Sequence, residues 1–173
     1  MLERLKRTLK HRWLDASAAE RLVPAAMRQR LQHRVAASEQ RHSGEIRLCI
    51  EAGLPLSYLW RTATMAHITR QRALTLFGKL RVWDTAHNNG VLIYLLLAER
   101  SIELVADRGL NEVVPAHVWQ AMVARMGAAF QAGDFENGLT QALEEVSALL
   151  VQHFPLKEGE RNPNELPDAP IMD

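Results

Sequence analysis

The stretch Asn88-Asn89-Gly90-Val91-Leu92-Ile93-Tyr94-Leu95-Leu96-Leu97-Ala98 decides how this chain reads. Asn-Asn-Gly signals a turn, because asparagine and glycine tolerate backbone conformations that other residues avoid. The apolar run that follows, residues 91–98, has no polar face, and so predicts a central strand covered on both sides. Glu99-Arg100 then reads as a two-residue turn, although it matches the Asn-Gly hairpin preference poorly. Residues 102–107 return as an antiparallel strand. With that turn Ala98 faces Ser101, which sets Gly90 opposite Gly109 and Asn88 opposite Asn111.

Upstream, Ile46, Leu48 and Ile50 alternate with Glu45, Arg47, Cys49 and Glu51, the pattern of a strand buried mainly on one face. Residues 53–58 read as a loop. Residues 62–80 read as a helix, with Ala73, Leu76, Phe77 and Leu80 on one side. A strand–helix–strand unit predicts two parallel strands. A helix opened by Pro24 and carrying Met27, Leu31 and Val35 precedes this unit, ending at His42-Ser43-Gly44. After it, Pro115 opens a helix with Trp119, Met122, Val123, Met126 and Phe130 on its buried side. Gly133 stops that helix and Asp134 caps the last one, whose apolar side is Leu139, Ala142, Leu143, Val146 and Leu150. The fold class is α/β: a small mixed β-sheet with helices on both faces.

The chain divides into a basic amphipathic arm (1–23), an α/β domain (24–156) and an extended or disordered tail (157–173) holding Pro163, Pro167 and Pro170. In the arm, Leu2, Leu5, Leu9 and Trp13 share one narrow helical face, among Arg4, Lys6, Arg7, Lys10 and Arg12. Asp15 and Ser17 offer cap oxygens, and Ser17 with Glu20 has capping-box spacing. The apolar face is expected to dock on the domain. The weaker alternative is peripheral membrane contact through residues 1–14. Residues 1–48 hold eleven Lys/Arg against five Asp/Glu, so the halves of the chain carry opposite charge although the net is +1. Cys49 stands alone, which excludes an internal disulfide and fits a reducing compartment. With no apolar leader and no run near the ~18 residues that span a bilayer, a cytoplasmic protein is expected.

Hairpin pairing brings loop 84–89 beside segment 107–112. Asp84, Asn88, Asn89, Asp107, Asn111 and Glu112 supply oxygen donors suited to Ca²⁺ or another divalent cation. The loop lacks the regular acidic ladder of a dedicated calcium loop. Parallel sheets favour ligands at the carboxyl ends of their strands, which points instead to the opposite end. Neither phosphate-cradling nor dinucleotide glycine motifs occur, so no nucleotide is expected. The seven histidines hold no zinc-like pair, and the basic arm lacks the interleaved aromatics of a nucleic-acid module.

Gly44-Glu45-Ile46-Arg47, Arg72-Ala73 with Phe77, residues 88–94, residues 102–110 and Phe130-Gln131-Ala132-Gly133-Asp134-Phe135-Glu136-Asn137-Gly138 together resemble the TPM-domain family over residues 28–156. The resemblance implies an α/β/α sandwich of Rossmann-like shape without dinucleotide glycines. It also implies thylakoid-lumen relatives tied to photosystem II repair, with acid phosphatase and calcium-binding activities claimed, and membrane-tethered bacterial relatives. The family often places acidic residues in the hairpin turn, whereas here the turn reads Ala98-Glu99-Arg100-Ser101, and residues 107–112 are one glycine short of its pattern, which weakens transfer of phosphatase activity. The expected function is that of an accessory domain binding a partner protein and a divalent cation, with weak metal-assisted phosphatase activity as the alternative. Whether the chain is an enzyme stays open, leaning against.

Overall fold

The computed structural model describes residues 2–14 and 16–173, apart from the side chains of residues 2–4 and 16. The cap expected at Asp15 and the side chains of Leu2 and Arg4 lie outside the described residues. Helices α1 (Leu2–Trp13), α2 (Ala16–Leu22) and α3 (Ala25–Glu39) lead into strand β1 (Glu45–Glu51). The short α4 (Leu56–Leu59) and α5 (Met65–Lys79) connect β1 to β2 (Gly90–Leu96), and β3 (Ser101–Ala106) follows. The chain continues through α6 (Arg108–Asn111), α7 (Ala116–Ala132) and α8 (Phe135–His153) to a two-residue strand, β4 (Ile171–Met172). Sheet order is β3-β2-β1-β4, with β1 parallel to β2 and β4 and β3 antiparallel to β2. Among the described residues, no helix is long and apolar enough to cross a membrane.

The sheet separates two apolar layers. Ile46, Leu48, Ile50, Val91, Ile93 and Leu95 point into the layer formed with α3, α7 and α8. Cys49, Leu92, Tyr94 and Leu96 point into the other layer, beneath α4, α5 and the tail. This is an α/β/α sandwich, and β2 at its centre is buried at all seven positions, as its unbroken apolar run predicts.

β1 departs from its expected half-exposure, since all seven of its residues are buried. Its alternating charges form a buried polar row covered by the tail. Glu45 accepts from the Leu166 backbone at 3.0 Å, and Arg47 donates to the carbonyls of Ala169 (2.8 Å) and Pro167. Asn162 holds the carbonyls of His42 and Gly44. The tail is therefore extended but folded onto the domain, tied through its backbone and the Asn162 side chain, and it ends as the fourth strand.

The hairpin is wider than the two-residue turn expected. Leu96 faces Ser101, and the loop is a 3-10 turn at Leu97–Glu99 followed by Arg100 in the left-handed region (φ 48°). Glu-Arg does not favour the positive φ that a two-residue turn needs at both positions, and four residues need it at one. The Ala98 amide also bonds to Ala52 at the end of β1. Pairing moves by two residues, an even shift that leaves every side chain on its expected face. Gly90 thus lies opposite Asp107, whose amide donates to the Gly90 carbonyl at 2.9 Å.

At the N-terminus, Ser17 sits inside α2 and accepts from Arg21 at 3.2 Å. The larger correction concerns α1. Leu5, Leu9 and Trp13 do not dock: they are 62%, 53% and 85% exposed, whereas His11 on the other side is 4% exposed.

Candidate functional site

Loop 81–90 owes its shape to two left-handed residues, Arg81 (φ 55°) and Asn88 (φ 51°), the second being a residue type that tolerates this region. The loop closes through Asp84 N to Arg81 O, Asn88 N to Thr85 O and Asn89 N to Thr85 Oγ1. On the facing segment, Asp107 caps α6 by accepting the Arg108 amide at 2.8 Å. Gly109 N donates to Asn88 O at 2.9 Å, and Arg108 Nε to Asn88 Oδ1 at 3.1 Å. A Cβ on Gly109 would come within 2.6 Å of the Asn88 carbonyl, and one on Gly90 would strike the Val82 carbonyl. Both glycines let backbone approach backbone.

The structure brings Asn88, Asn89, Asp107 and Asn111 to one end of the sheet, with their polar atoms differently engaged. Asn111 Nδ2 donates to Ala106 O at 2.7 Å, and Asn89 Nδ2 to Ser43 Oγ at 3.3 Å. Asp84 is held in an exposed ion pair with Arg81 at 2.6 Å. Glu112 is an exposed residue closing α6. Among the described residues, no group of three or more His, Cys, Asp or Glu is arranged to hold a metal ion. The carboxylate and amide oxygens at this end are nevertheless of the chemistry a hard cation requires. Their number falls short of a dedicated calcium cage.

Buried polar atoms without a hydrogen-bond partner cluster here. They are Asp107 Oδ2, Asn89 Oδ1, Glu45 Oε1 and His42 Nε2, and the two others among the described residues are Ser101 Oγ and Trp119 Nε1. An unpaired buried polar group costs about 1–3 kcal/mol, so these four are atoms that a water, a cation or a donor group would stabilise. Burial raises the Glu45 carboxyl above the usual range and lowers His42 to about 4. Nearby Glu39 is raised to about 9, chiefly by burial, with Glu45 and Asp168 adding repulsion. Glu45 and His42 fall outside the set expected from sequence. Aligning the starts of the parallel strands, Glu45 with Gly90, is the signal that points to Glu45. Trp83 and Val113, exposed at 48% and 46%, stand in the loop and just beyond α6. A groove of about 480 Å³ between β3 and α7 adjoins Asn111 and is lined by Leu104, Ala106, Trp119 and Val123.

At the opposite end Glu51 is fully engaged, although Ser101 Oγ, across from Leu96, lacks a partner. Glu51 receives a paired contact from Arg72 (2.6 and 3.0 Å) and a hydrogen bond from the Tyr94 hydroxyl (2.5 Å). Arg72 also reaches Asp173 at 2.8 Å. Burial disfavours the Arg72 charge, but Glu51 outweighs it and holds the guanidinium more firmly protonated. Burial and then Glu51 push the Tyr94 hydroxyl up, and burial first raises the Cys49 thiol to about 12, leaving it inert.

A family model, the TPM domain, matches residues 18–149. The chain belongs to the TPM-domain family. Among solved structures it is similar to the BA42 protein of the psychrophilic bacterium Bizionia argentinensis, with TM-score 0.69 and 26% identity, covering 86% of this chain and 94% of that one. It also shares its fold with the N-terminal domain of a protein from P. gingivalis, with TM-score 0.51 and 19% identity over 79% of this chain and 83% of that one. No curated protein matches it.

Proposed function

We propose that this TPM domain is a partner-binding accessory module whose recognition end is loop 84–90 together with segment 107–112, and that the same end takes a divalent cation, Ca²⁺ by chemistry. The observation that carries this reading is the cluster of donorless buried oxygens, Asp107 Oδ2, Asn89 Oδ1 and Glu45 Oε1. Such oxygens favour a ligand that brings positive charge or donors. Trp83 and Val113 supply exposed apolar anchors for a protein partner at the same end. The cation binds weakly and keeps part of its water, because Arg81 holds Asp84 and Arg108 holds Asn88.

Calcium bound only by the folded state raises the melting temperature by mass action. Asp107→Asn keeps the helix cap and removes that shift. Absence of a shift at millimolar calcium rejects the cation part of the reading. The alternative, metal-assisted phosphatase action, needs a positioned nucleophile beside its metal, and among the described residues the unpaired buried carboxylate oxygens at this end are those of Asp107 and Glu45. Aryl phosphate turnover at or above about 1 s⁻¹, lost in Asp107→Asn, would replace the accessory-module reading with the enzymatic one.

A further inference from the structure

Helix α1 is fastened to the domain by its polar side. Arg7 donates to the carbonyls of Leu59, Arg61 and Ala63 at 3.3–3.5 Å. His11 is buried, bonding Glu99 with Nε2 at 2.9 Å and accepting the Leu54 amide with Nδ1 at 3.0 Å. Lys10 adds a second contact to Glu99, at 2.9 Å. Burial pushes the Glu99 carboxyl up, but its bonds from His11 and Lys10 outweigh this and hold it below its ordinary value. Gly53 passes so close that a Cβ there would lie 2.5 Å from the His11 carbonyl. These contacts set the rotation of the helix.

That rotation turns the apolar stripe outward. Leu5, Leu9 and Trp13 are spaced four apart on one face, and all three are exposed. Helical geometry places Arg12 along one border of the stripe and Lys6 along the other, both exposed. The adjoining segment adds Leu56, Trp60 and Arg61, with 48% exposure at Leu56 and 60% at Trp60. An apolar stripe bordered by bases fits the headgroup boundary of an anionic bilayer: the leucines and Trp13 enter the acyl margin while Lys6 and Arg12 reach the phosphates. A face for a second copy of this basic helix would set like charges together. We infer that α1 is a lipid-surface anchor that lays the domain on anionic membranes. The inference is independent of the cation site, which lies beyond the other end of the strands.

The full chain, sedimented with phosphatidylcholine vesicles with and without phosphatidylserine, tests it. The expected result is association with the anionic vesicles alone, weakened by salt. Replacing Leu5, Leu9 and Trp13 with serine abolishes association without changing the melting temperature, since these side chains are exposed. Lys6→Glu with Arg12→Glu lowers partitioning by roughly tenfold or more and keeps the apolar stripe intact. Failure to bind anionic vesicles overturns the inference. So does binding indifferent to the charge reversal, or a lipid-free dimer that the serine variant dissolves.

Discussion

The two ends of the central sheet bury similar polar residues and treat them differently. At the Glu51 end the carboxylate takes the Arg72 guanidinium and the Tyr94 hydroxyl, and Arg72 is shared with Asp173. At the Glu45 end one oxygen of Glu45 takes the Leu166 amide and the other takes nothing, and Asn89 and Asp107 each leave an oxygen unmet. A satisfied buried network holds a fold together, and an unsatisfied one holds its shape for something else. The first end serves the fold, and the second is the end we propose for binding.

The strongest way to break this contrast is to remove a partner at the Glu51 end. Arg72→Met leaves Glu51 buried without its guanidinium, and urea unfolding should show a loss of about 3–5 kcal/mol. Asp107→Asn at the Glu45 end should change stability by less than about 1 kcal/mol, because asparagine caps helices as well as aspartate. Comparable losses at both ends would erase the distinction.

Next in size is the tail, which closes the layer over β1. Leu166 is 7% exposed, and Leu166→Ala should lower stability by about 2 kcal/mol. A neutral outcome would mean that the tail merely rests on the sheet.

A smaller effect separates the carboxyls by pH. Burial raises Glu39 to about 9, so folding favours its protonated form. That contribution is complete below the ordinary carboxylate range and is lost as pH rises through about 9. Glu39→Gln should therefore match the wild type near pH 4 and gain on it steadily towards pH 9, as melting curves across pH would show. His42 acts in the opposite sense: lowered to about 4, it contributes above its ordinary value and loses that contribution as pH falls through about 4.

Much of the architecture was legible in the sequence. The unbroken run at residues 91–98 marked the central strand, and Gly133-Asp134 marked the α7–α8 junction, where Gly133 takes φ 82° and Asp134 caps α8. Two readings failed for a shared reason, the pairing of charged side chains with partners distant in sequence. Glu45, Arg47 and Glu51 alternate as a solvent face would, and only the returning tail and α5 make them buried. In α1 the leucine stripe looked like the docking face, yet His11 and Arg7 found backbone and carboxylate partners more than forty residues away. The hairpin brought loop 84–89 and segment 107–112 to one end of the sheet, although the register moved by two. Periodicity could not show that Arg81 and Arg108 would engage Asp84 and Asn88.

The most direct test of the contrast between the two ends is a calcium titration of the isotopically labelled chain, followed by backbone amide NMR shifts. The account predicts saturable shifts concentrated in residues 84–90 and 107–112, with Glu51, Arg72 and Tyr94 unmoved and the whole response absent in Asp107→Asn. Shifts centred on the Glu51 end, or none at millimolar calcium, would contradict it.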